Sequence, residues 1–129
     1  MTRLDGFQDL VVWQRARELT KRVYFITRLA QQESLLLNEL RALPITMASK
    51  IAAAYETRGT YYAIEMLGLA KAAANGFKLQ LTAFYMRGLV RQPEYEDLLE
   101  RAVEIRQLLF ELEYAFGFWY GQNDDEWET

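Results

Sequence analysis

Apolar residues recur in alternating steps of three and four along four long stretches of this chain, with breaks at Gly59 and at Gly88 to Pro93. The first stripe is Val12, Ala16, Leu19, Val23, Ile26 and Ala30, and the second is Leu40, Leu43, Met47, Ile51 and Ala54. The third is Leu67, Ala70, Ala74, Phe77, Leu81 and Phe84; the fourth is Leu98, Ala102, Ile105, Leu109, Leu112, Phe116 and Trp119. This spacing keeps the members of each stripe on one side of an α-helix. It predicts helices over residues 10–30, 39–58, 61–87 and 93–120, followed by an acidic tail over 121–129.

The punctuation agrees. Asp9 is placed to cap the first helix, with Asp5 and Gln8 as a rival start in capping-box form, and Asn38 to cap the second. Pro44 then falls within the second helix, where it removes an N–H and is expected to kink or loosen it. Thr60 caps the third, Gly88 stops it, and Pro93 suits the first turn of the fourth. Heptad-like stripes pack at shallow angles, and short connections set neighbouring helices antiparallel. The predicted fold is all-α, a single domain over 1–129 forming an antiparallel up-down four-helix bundle.

Two helices carry more apolar surface than one stripe needs. Turning the first helix brings Val11, Arg15, Glu18, Arg22, Phe25 and Leu29 onto a second seam, half apolar and half charged. On the third, Met66, Leu69, Ala73, Gly76 and Ala83 widen the apolar arc, and the run KAAANG leaves room for a close backbone. Exposed patches of that extent usually mark interfaces, so the chain is expected to self-associate. The plainer reading is a wide core seam with a few exposed apolar residues.

Composition narrows the chemistry. At 51% hydrophobic and 26% charged the chain is globular rather than disordered. It has no Cys and no His, which excludes disulfides, Cys/His metal sites, haem ligation by those residues, and nucleophile systems built on them. A carboxylate-bridged di-metal centre in a helix bundle needs Glu-x-x-His motifs, and the core stripes contain no Asp or Glu. No glycine cluster has phosphate-loop spacing. No catalytic residue, metal or cofactor is therefore predicted. No run approaches 18 apolar residues and the start MTRLDGFQDL is not a leader, so a cytoplasmic location away from membranes is expected.

The opening FQDLVVW resembles the F-x-D-L-x-V-W start of the bacterial four-helix-bundle family named for open reading frames in intervening sequences of 23S rRNA genes. The segment TMASKIAAAY lies over that family's S-I-P-S-N-I-A-E-G-Y, matching at Ser49, Ile51, Ala52 and Tyr55. It departs at Lys50, Ala53 and Ala54, where the family has Asn, Glu and Gly, and the third-helix G-S-L-x-E pattern is replaced by AAANG. The resemblance implies a left-handed bundle closing into a homopentamer. The related accessory protein of diversity-generating retroelements is of that kind, with a basic surface that binds nucleic acid and a reverse transcriptase. A role tied to the family's Asn and Glu is not implied for this chain.

Charge is unevenly spread. Residues 1–90 hold 12 Lys and Arg against 7 Asp and Glu, a net of +5, whereas residues 91–129 hold 3 against 11, a net of −8. Arg17, Lys21 and Arg28 share a narrow arc of the first helix, and Lys71 and Lys78 share the outer side of the third. This is either a strip for RNA or DNA phosphates or a solvated face balanced by the acidic fourth helix. With an overall pI near 5.1 the solvated face is preferred. In the aromatic end EYAFGFWYGQNDDEWET, Phe116 and Trp119 are expected inside the bundle and Phe118 and Tyr120 at a subunit contact. Two roles follow: a non-enzymatic homo-oligomeric scaffold or adaptor that binds itself or another protein, and a nucleic-acid-associated accessory factor.

Overall fold

The computed structural model describes residues 6–30 and 35–128, with side chains as far as Phe116 in the last helix. A short 3-10 turn at Phe7–Asp9 precedes four helices: α1 Val11–Ile26, α2 Leu35–Glu56, α3 Tyr61–Met86 and α4 Gln92–Glu128. There is no strand among the described residues. α1 packs on α2 and α4, and α3 packs on the same two helices, so each helix touches its two neighbours around a shared core. Contacting pairs include Gln80 with Glu39, Lys71 with Glu113, and Arg15 with Glu104.

The stripes face that core because their 3.6-residue periodicity leaves no other way to bury them together. Val12, Ala16, Leu19 and Val23 of α1 are buried, as are Leu40, Met47, Ile51 and Ala54 of α2. All six stripe members of α3 are buried, and Phe77 is among the largest fully enclosed side chains. Leu98, Ala102, Ile105, Leu109 and Phe116 close the core from α4. Ile26, Leu43 and Leu112 are half-buried at its edge. Met66 and Ala73, which widen the arc of α3, are also core residues.

Helix ends depart from expectation where other elements intervene. α1 stops at Ile26, four residues short of the predicted end at 30, and Thr27 is its cap. There the Thr27 hydroxyl donates to the Val23 carbonyl at 2.7 Å. Arg41 of α2 reaches across to donate to the Thr27 carbonyl and hydroxyl, both at 2.9 Å. A guanidinium at a helix C-terminus satisfies a carbonyl left without a helical donor and complements the helix dipole. At the other end Leu10, not Asp9, is the N-cap, with no side-chain capping bond, because Asp9 belongs to the 3-10 turn. α2 starts at Leu35, which places Asn38 within its first turn rather than at its cap. The helix continues through Pro44, whose ring is fully buried.

Thr60 caps α3, its hydroxyl accepting from the Ala63 N–H at 3.4 Å. α3 ends in a Schellman motif: Gly88 at φ +73 lets its N–H reach the Tyr85 carbonyl, while the Leu89 N–H reaches Phe84, both at 3.0 Å. α4 runs to Glu128, so the segment expected as a tail after residue 120 is helical backbone.

Candidate interaction surface

Where α1 lies beside α4, the charged half of the second seam has partners within the chain. Arg15 Nε donates to Glu104 Oε1 at 2.8 Å, and its terminal nitrogen lies 3.4 Å from Glu18. Glu18 is 3.9 Å from Arg101, which donates to Asp97 at 3.2 Å. Arg22 completes the ladder at 3.4 Å from Asp97. Three arginines and three carboxylates thus alternate across the two helices with no net charge. The Glu104 hydrogen bond, followed by the charges of Glu18 and Glu104, raises the Arg15 pKa above its ordinary value. These side chains are all partly open to solvent, so the ladder sets the register of α1 against α4 more than it stabilises the fold.

The apolar half of the same seam flanks the ladder at both ends. Val11, 51% exposed, borders a groove of about 250 Å³ that also includes Leu108, Leu112 and Ala115. At the far end Phe25 and Leu29, 57% and 78% exposed, line a cleft of about 620 Å³ with Ile26, Pro93 and several charged groups. A neutral, hydrogen-bonded centre between two exposed apolar ends has the composition of a surface that another chain can cover at low electrostatic cost. The side chains of Phe118 and Tyr120, assigned to the same contact from sequence, lie outside the described residues, as does that of Trp119.

The three cations of the basic arc do not share one surface. Arg17 and Lys21 are exposed on the outer side of α1, Arg17 with its guanidinium 5.4 Å from the Trp13 ring centre. Arg28 follows the end of α1, so the helical arc that sets it beside Lys21 does not extend that far. Its guanidinium lies 3.9 Å from the Phe25 ring centre and donates to the Phe25 carbonyl at 2.6 Å, in the cleft beside Arg22 and Arg91. Lys71 is likewise off the outer side of α3, turned to α4 where it pairs with Glu113 at 2.6 Å and sits 4.8 Å from the Phe110 ring centre.

Sequence reasoning missed Arg41, which pins the end of α1 and also lies 4.8 Å from the Tyr24 ring centre. It also missed the α1–α4 ladder, although a signal was present. Arg15, Glu18 and Arg22 have the same spacing, in reverse order and with opposite charges, as Glu104, Arg101 and Asp97. Among the described residues no group of three His, Cys, Asp or Glu could hold a metal ion, and no helix is long and apolar enough to cross a membrane.

Comparison with known proteins places this arrangement. A crystal structure from Bacteroides thetaiotaomicron, of a protein with unknown function from the S23 ribosomal protein family, superposes with a TM-score of 0.74 at 20% identity. The match covers 81% of this chain and 96% of that one, and at this identity it speaks for the fold alone. Comparison with curated proteins gives no match. Residues 8–111 match the family model described as 23S rRNA-intervening sequence protein, a span that runs from the 3-10 turn to about the middle of α4. Opening motif, four-helix architecture and family model agree, and the chain belongs to the 23S rRNA-intervening sequence protein family.

Proposed function

We propose that this chain is a non-enzymatic scaffold or adaptor, an antiparallel up-down four-helix bundle that closes with copies of itself into a homo-oligomeric ring, as a pentamer. The opposed order of contacting residues along α1 and α4 supports the antiparallel arrangement: Arg15, Glu18 and Arg22 meet Glu104, Arg101 and Asp97 in turn. The observation that carries self-association is the α1–α4 surface, where Val11, Phe25 and Leu29 stand exposed around a neutralised centre. Resemblance to family relatives that form homopentamers supplies the subunit number. Light scattering of the purified protein at micromolar concentration tests this reading. A mass that is a whole multiple of five 15.1 kDa chains is expected, and a stable monomer overturns it.

A second reading, binding of RNA or DNA, is favoured by Arg17 and Lys21, which are exposed and have no carboxylate partner among the described residues. Replacing Arg17, Lys21 and Arg28 by Gln then weakens binding across sequences. It also flattens the salt dependence by about 0.7 to 0.9 log units of slope for each phosphate no longer neutralised. Equal titrations of the wild type and the triple variant at several salt concentrations remove this reading and leave the protein adaptor.

A further inference from the structure

The outward side of α3 is apolar in a way the rest of the chain does not explain. Leu79 and Met86 are 74% and 81% exposed, and Tyr61 is also exposed. Between them lie Gly68, Ala72 and Asn75, and the sole charge on this line is Glu65. Gly68 is the sharper observation. A Cβ built there meets nothing within 4 Å, so packing inside the chain does not call for a glycine. A glycine inside a helix costs about 1 kcal/mol relative to alanine. A small residue kept at an open, outward position is suited to the close approach of a backbone from outside.

We propose that this side of α3 pairs with α3 of a second copy, antiparallel and about a two-fold axis near residues 73 and 74. The line Tyr61, Glu65, Gly68, Ala72, Asn75, Leu79, Thr82 and Met86 steps by four and three alternately and has the same spacing from either end. Such a line can face itself in an isologous contact. The pairing is complementary at each layer. Leu79 of one copy enters the space over Gly68 of the other. Met86 meets Tyr61, a thioether against an aromatic ring. Glu65 falls opposite Thr82 and one turn from Lys78. Glu65 and Lys78 have no ion pair within the chain among the described residues, so this pairing brings together two opposite charges that the fold leaves unmatched. The second copy therefore fits in shape and in charge. This contact is separate from the α1–α4 surface, since α3 and α1 do not touch.

Substitution and cross-linking in the full chain test the pairing. Two-fold contacts cannot close a ring of five, so on the ring reading the pairing joins two rings. Leu79→Lys should then halve the mass of the assembly in sedimentation velocity with unchanged helicity, because Leu79 is 74% exposed in the single chain. Gly68→Leu should do the same while raising the thermal stability of the single chain, as its site is open. The chain has no Cys, so in Ala72→Cys/Asn75→Cys the introduced thiols are its only ones. Mild oxidation of that variant should give a covalent dimer in higher yield than a control Ala42→Cys on the exposed side of α2. An unchanged mass in both substitution variants, or a dimer yield no greater than the control, overturns the pairing. Failure of the ring reads differently: Phe25→Asp then has no effect on mass, whereas Leu79→Lys still converts dimer to monomer.

Discussion

Phe25→Asp separates a subunit contact from a core position at the α1–α4 surface. Phe25 is 57% exposed, so the chain by itself buries less than half of the ring. A phenylalanine buries about 200 Å² when fully enclosed, which leaves about 110 Å² for a neighbouring copy to cover. At about 25 cal/mol per Å² that area is worth about 3 kcal/mol per contact, or about a hundredfold in association constant. The substitution also exchanges that apolar area for a carboxylate, which loses its water when the contact closes even with Arg28 beside it in the cleft. The expected result is an assembly that dissociates at micromolar concentration by sedimentation velocity, with far-ultraviolet circular dichroism retained. The outcome that refutes the reasoning is loss of helicity, which would make Phe25 an element of the bundle core. A particle of unchanged mass would remove it from any subunit contact.

Two further predictions concern the fold. Phe77 is fully buried, so Phe77→Ala is expected to lower unfolding free energy by about 3 to 5 kcal/mol in a urea titration; a loss below about 1 kcal/mol would show a core able to collapse around the gap. Gly88 has φ +73 with open space around its Cα, so Gly88→Ala is expected to cost about 1 to 2 kcal/mol through backbone strain alone, and Gly88→Asn less, by thermal melting.

The main stripe of α3 was legible, because Leu67, Ala70, Ala74, Phe77, Leu81 and Phe84 obey a periodicity that belongs to the helix itself and needs no knowledge of neighbours, although Ala63, which is also fully buried, was not among the residues it singled out. The same holds for the Thr60 cap and the Gly88 stop, where the residue type and the local backbone settle the outcome within a few positions. The end of α1 was not legible at Ile26, since the Thr27 carbonyl is met not only by the nearby Ala30 N–H but also by Arg41, 14 positions beyond Thr27 in the sequence. Nor was the division of the second seam. Periodicity put Arg15, Glu18, Arg22, Val11, Phe25 and Leu29 on one line, and only the register of α4 gave the first three internal partners and left the others exposed. Lys71 follows the same rule, drawn off the outer side of α3 by Glu113 on α4. A helix's own geometry determines which residues share a side, a short-range property carried by the sequence. What that side meets depends on helices distant along the chain, and so it is decided by tertiary packing.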